Sequence, residues 1–107
     1  MGRIIKLGPE LQPEPVGVEF PDGSMHEFIL NFYPMEEADR RNAETERLQK
    51  EGKLKGTDLE IAIAKIWMTF SDETEAAMRK MQTDLFNALF FKLRMTRTEI
   101  AENLKKK

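Results

Sequence analysis

The chain has 107 residues, of which 40% are hydrophobic and 34% charged, with 17 basic and 19 acidic side chains. That is enough for one small domain with a core, and the near balance of charge excludes the global field expected of a nucleic-acid or membrane-surface binder. There is no cysteine, which excludes disulfides, thiol nucleophiles and zinc-thiolate sites and fits a reducing compartment, the cytoplasm.

The charge is unevenly spread. From Met1 to Glu37 two basic residues stand against seven acidic ones, whereas from Lys92 to Lys107 six basic residues stand against two acidic ones. A front that is acidic and a back that is basic favour head-to-tail association or an acidic partner, set against the plainer reading of a solvated tail. The start, Met1-Gly2-Arg3-Ile4-Ile5, has too short an apolar run for a signal peptide, and Lys6 stands where a myristoylation motif wants Ser or Thr. No run approaches the roughly 20 apolar residues that a membrane span needs.

In chain order, residues 1–15 read as an extended arm. A short strand is possible at Arg3 to Leu7, and Pro9, Pro13 and Pro15 then deny the backbone the donors that a ladder requires. Residues 16–33 form a predicted β-hairpin: Val16, Val18 and Phe20 alternate with Gly17 and Glu19, Pro21-Asp22-Gly23-Ser24 supplies turn chemistry, and Met25 to Tyr33 continues in strand-forming residues. His26, Phe28, Leu30 and Phe32 share one face of the second strand and Met25, Ile29 and Tyr33 the other, so both faces want cover. Residues 35–51 form a helix that is polar on nearly every side, which suits an exposed arm or a segment ordered on a partner.

Residues 57–104 are the predicted helical core. Thr57-Asp58-Leu59-Glu60 reads as a capping box that opens a helix, with Leu59, Ile63, Ile66 and Phe70 on one stripe and Trp67 beside it. Ser71, followed by Asp72, Glu73 and Glu75, reads as the N-cap of a second helix that runs to Arg94 or Met95. The stripe of that helix is Met78, Met81, Leu85, Ala88, Leu89 and Leu93, with Phe86 at the margin. Thr96-Arg97-Thr98-Glu99 reads as another capping box, opening a short helix through Leu104. The expected fold is therefore α+β and mostly helical: an N-terminal hairpin followed by three to four helices in a single domain.

Candidate chemistry is sparse. His26 is the only histidine and has no nucleophile or carboxylate at a catalytic motif spacing, so it reads as a structural or surface residue. Glu36, Glu37, Asp39, Glu44 and Glu46 interleave with Arg40, Arg41 and Arg47, which makes a solvated helix face a better account than a metal site. The six glycines are scattered and form no phosphate loop. The expectation is a non-enzymatic protein with neither metal nor cofactor. What remains is an apolar surplus: Ile61, Met68, Phe90 and Phe91 lie off the main stripes and form the candidate partner-binding surface, the competing account being a helix buried between several neighbours.

Two resemblances complete the reading. Thr96 to Leu104 resembles the first helix of many helix-turn-helix DNA binders, although no recognition helix follows it within these residues. The plan of hairpin (Val16-Gly17-Val18-Glu19-Phe20-Pro21-Asp22-Gly23 to Phe32), charged helix and two apolar helices (Leu59 to Phe70 and Asp72 to Met95) resembles the tail assembly chaperones of long-tailed bacteriophages. That resemblance implies a small oligomeric protein of the host cytoplasm that has no catalytic residues and shields hydrophobic helical segments of the tape measure protein during assembly. A structural virion component whose hairpin edges pair in a ring, and a small DNA-binding regulator using the basic C-terminus, are the alternatives.

Overall fold

The structure is a computed structural model describing residues 2–103. The fold is α+β and mostly helical, with an N-terminal antiparallel hairpin, a short third strand and four helices. It divides into two compact units, Gln12–Met81 and, separately, the residues up to Leu11 together with those from Gln82 onward.

In the unit Gln12–Met81, β1 (Glu14–Glu19) pairs antiparallel with β2 (Met25–Leu30), Val16 opposite Phe28 and Val18 opposite His26. The turn closes through Phe20 N–H to Ser24 O (2.8 Å) and Gly23 N–H to Phe20 O (2.8 Å), with Gly23 at φ 85°, a conformation that costs little only without a Cβ. β1 starts two residues earlier than the sequence predicts and includes Pro15. It is an outer strand of the sheet, where a missing N–H breaks no ladder. Arg3 to Leu7 is not a strand.

Helix α1 (Met35–Glu51) has the predicted bounds and buries no residue. Its ion pairs are local, Glu37 with Arg40 and Arg41, and Arg47 with Glu44 and Glu51. What holds it against α2 (Gly56–Trp67) is polar. The Arg41 guanidinium lies 3.9 Å from the centre of the Tyr33 ring and donates to the Ile66 carbonyl, and the Trp67 indole N–H donates to Thr45 Oγ1 at 3.2 Å. A cation at the carboxyl end of a helix also meets the negative end of the helix dipole.

Three boundaries differ from the sequence reading, each for a physical reason. α2 begins at Gly56 rather than at a Thr57 cap, with Lys55 at the N-cap and no side-chain cap bond; Gly56 takes φ 57° there. α2 then stops at Trp67, because Met68–Thr69 leave the helix as β3 and pair with Ile29 and Leu30 on the free side of β2. The predicted long second helix is two. α3 (Asp72–Arg79) starts where expected, Ser71 Oγ accepting from the Thr74 N–H at 3.1 Å, but it tightens into three-residue turns at Lys80 and Met81.

In the other unit, α4 (Thr83–Glu102) begins afresh after Gln82. It runs straight through the predicted Thr96 capping box. Thr96 and Thr98 donate their hydroxyls to the carbonyls of Lys92 and Arg94, so neither side chain caps a new helix. The separate helix that resembled a DNA-binding element is thus the last turns of α4, and Leu104 lies outside the described residues. Among those residues no helix is long and apolar enough to cross a membrane.

The core of the first unit is Phe20, Phe28, Leu30, Ile61, Ala64, Met68 and Met78. Phe28 is its centre, fully buried and meeting Phe20 and Phe70 at ring separations of 6.4 and 5.6 Å. α2 and α3 are further tied by ions: Glu75 pairs with Lys65 and Arg79, and Arg79 reaches Asp58 at 2.7 Å. The bond from Lys65 holds the Glu75 carboxyl below its ordinary value of 4.5, and the bonds from Arg40 to Glu37 and from Arg47 to Glu44 do the same for those groups. As pH falls the unfolded chain takes up these protons first, so the stability they contribute is complete above the ordinary carboxylate range and is lost on descending from about pH 4.5 through the lowered native values. Urea unfolding should therefore show a midpoint that drops between about pH 5 and pH 3, and Glu75→Gln should make that drop shallower.

Candidate functional site

Hairpin and α3 are joined by a run of side-chain hydrogen bonds. Ser24 Oγ donates to Asp22 Oδ1 (2.6 Å), His26 Nε2 lies 2.9 Å from Ser24 Oγ, His26 Nδ1 lies 2.8 Å from Thr74 Oγ1, and Ser71 Oγ donates to Thr74 Oγ1 at 3.1 Å. The proton count fixes the direction of this run. Ser24 has one hydroxyl proton and Asp22 only accepts, so His26 Nε2 is the donor to Ser24, and Nδ1 is left to accept from Thr74. One proton per link runs from Ser71 to Asp22, and the imidazole is satisfied at both nitrogens in its neutral form.

That wiring is opposite to what a nucleophilic serine needs. A catalytic base must take the serine proton, whereas here the proton goes to Asp22 and the imidazole gives one to Ser24. The bonds from Ser24 hold the Asp22 carboxyl below its ordinary value of 3.8. The His26 ring stacks on Phe20 with centroids 4.1 Å apart, so it is a core histidine with a polar tether at each end. An open cavity of about 450 Å³ adjoins this run, with Ala76 and Ala77 of α3 as apolar wall and Asp22, Glu73 and Lys80 as charges. The sequence reading missed this tether. Its trace was the alternation of Asp22, Ser24 and His26, which puts all three on one side of the chain as it enters β2.

Thr74→Val removes the donor to His26 Nδ1 at a position that is 3% exposed. It should cost about 1–3 kcal/mol, measured by urea unfolding at neutral pH.

The four candidate contact residues do not form one surface. Ile61 is 2% exposed, Met68 6% and Phe90 5%, while Phe91 is 57% exposed. Ile61 is buried because α2 is covered on more than one side: α1 lies against it, and Ile61 and Ala64 are its buried residues while Leu59, Ile63 and Ile66 are only half-buried. Met68 is buried because it is a strand residue paired with Leu30 rather than the back of a helix. Ile61 and Met68 are thus core residues, and so is Phe90.

Phe90 is buried because the break at Lys80–Gln82 changes the phase of the second helix. The stripe predicted from Met78 through Met81, Leu85 and Ala88 presumes a continuous helix; once α4 restarts, its buried face is Phe86, Leu89, Phe90 and Leu93, with Phe86 and Phe90 meeting edge to face at 4.8 Å. Leu85 and Ala88, expected inside, are exposed. The outward face of α4 accordingly carries Leu85 (42% exposed), Phe91 and Met95 (48%) around Ala88. These lie roughly opposite the buried face at about 100° per residue. Among the described residues no group of three or more His, Asp or Glu side chains is placed to hold a metal ion.

The neighbouring phenylalanines should therefore separate cleanly in mutagenesis. Phe90→Ala should cost about 3 kcal/mol or more and Ile61→Ala about 2–4 kcal/mol, whereas Phe91→Ala should stay within about 0.5 kcal/mol, all read from urea midpoints by circular dichroism. No protein-family model matches the chain, and no curated protein or solved structure matches it.

Proposed function

We propose that this protein acts by holding another protein rather than by catalysis. One observation carries the reading: α4 is apolar on two opposite faces, and the face with Leu85, Phe91 and Met95 is exposed beside a face that is already buried. Large apolar side chains clustered on an open helix face suit a hydrophobic partner helix, to which a thioether such as that of Met95 adapts. The hydrogen-bond direction at Ser24 and His26 also favours binding over nucleophilic chemistry.

The finer form of the proposal is a tail assembly chaperone of a long-tailed phage, whose client is an apolar helical segment of the tape measure protein. Its support is the resemblance of plan, hairpin then charged helix then apolar helices, together with the two-faced α4. The ring-forming alternative is disfavoured by β1, an edge strand that carries Pro15 between Glu14 and Gly17 and ends in Glu19, features that discourage edge-to-edge pairing.

Titration of the protein with fluorescent helical fragments of a tape measure protein tests this reading. Wild type should bind and keep the fragments in solution, and Phe91→Ser with Met95→Ser should weaken binding at least fivefold while leaving the dichroism spectrum unchanged. Equal affinity of wild type and double variant, or binding by neither, would remove α4 as the client surface.

A further inference from the structure

The outward face of α4 has a second property, a pattern complementary to itself. Ala88 lies at its centre. At about 100° and about 1.5 Å per residue, Leu85 and Phe91 sit about 60° to either side of Ala88, and Asp84 and Lys92 sit about 40° to either side and about 6 Å before and after it along the axis. A two-fold axis that crosses two antiparallel copies of α4 at Ala88, inclined by about 50° so that the two rows Asp84-Ala88-Lys92 overlie, brings Asp84 of each copy to Lys92 of the other. Ala88 then meets Ala88, and Leu85 faces Leu85 and Phe91 faces Phe91 on either side of the row.

The residue types match what each place requires. The crossing point has the smallest side chain on this face, so two helix axes can approach to roughly 8 Å. The four large apolar side chains that flank it, Leu85 and Phe91 from each copy, are those found exposed at 42% and 57%. The outer pairs are opposite charges, and neither Asp84 nor Lys92 forms an ion pair among the described residues. Spaced eight apart on one helix, the two cannot neutralise each other within a chain, because side chains meet at three or four residues. Reversal of the helix is what brings them together; a parallel pair would place Asp84 beside Asp84.

We propose that a second copy of this chain docks on this face, forming an antiparallel α4 pair centred on Ala88. The proposal deepens the reading of α4 as a contact surface and rests on it, naming the occupant when no client is present. A single helix-on-helix contact is at the small end of specific interfaces, so the dimer is weak, with a dissociation constant of roughly ten micromolar or above. Self-pairing covers Phe91 in the free protein, and a client helix competes for the same face.

Two measurements together test it. The chain has no cysteine, so Ala88→Cys introduces a single thiol at the two-fold axis, where Cα atoms come within disulfide range. Treated with diamide, A88C should form covalent dimer at least tenfold faster than Asn87→Cys, whose thiol is exposed but lies off the face. In sedimentation velocity over roughly 10 to 500 μM, Asp84→Lys alone and Lys92→Asp alone should each weaken association about tenfold, since each replaces two attractions by two repulsions. The double variant D84K/K92D should return to within about threefold of wild type, because the swap rebuilds both pairs. Equal crosslinking of A88C and N87C, or a double variant as weak as the single ones, would overturn the proposal. Either result leaves client binding, measured separately with helical fragments, to stand or fall alone.

Discussion

The first unit depends on one change of backbone state, from helix to strand between Trp67 and Met68. Had α2 continued, Met68 would point away from the core and the free side of β2 would have no partner. By stopping there, the chain places Met68 opposite Leu30 and Thr69 opposite Ile29, and the Asn31 N–H donates to the Trp67 carbonyl at 3.2 Å. The same stop leaves the Ile66 carbonyl without its next helical donor, so Arg41 and the Tyr33 hydroxyl can reach it. Three residues later Ser71 caps α3, whose Thr74 holds His26. Sheet, α1 and α3 are all anchored within a few residues of that switch.

The two ways in which helices are attached here differ in kind. α3 and α2 join the sheet through buried apolar groups, with Ile61, Met68, Phe28 and Met78 closing one core. α1 contributes nothing to that core and is held by a guanidinium on a ring, one bond from Arg41 to the Ile66 carbonyl and an indole donor to a threonine. Contacts of this kind are worth less than burial of a large side chain and depend more on geometry. A helix so polar all round can still have a fixed address when its neighbour presents an exposed helix end and an indole N–H.

Much of this arrangement was legible in the residues, and its limits are instructive. The hairpin, the bounds of α1 and the Ser71 cap follow from local chemistry, because turn type, charge pattern and an N-cap are decided within a few residues. The departures occur where tertiary pairing overrides local preference. Trp67-Met68-Thr69-Phe70 has strand-forming residues, yet only a free edge of β2 makes two of them a strand. Thr57 and Thr96 stand in good capping sequences that go unused, the first because Gly56 can take the left-handed turn, the second because its hydroxyl bonds within the helix. The site reading fails through phase: it places Phe90 and Phe91 alike off the main stripe, whereas the unmarked break at Lys80–Gln82 puts Phe90 inside and leaves Phe91 outside. No glycine or proline announces that break, so periodicity carried across it assigns Leu85 and Ala88 inward and Phe90 outward.

Helix α1 hides none of its seventeen residues, and this changes what can happen to its sequence over time. Most substitutions along it leave no cavity and strand no buried polar atom, provided that Arg41, Thr45 and helix-forming character persist. It is the segment where the chain can drift most cheaply, altering length, charge or surface identity while the fold stays fixed. The core carries the architecture, and α1 is where that architecture is free to acquire a new exterior.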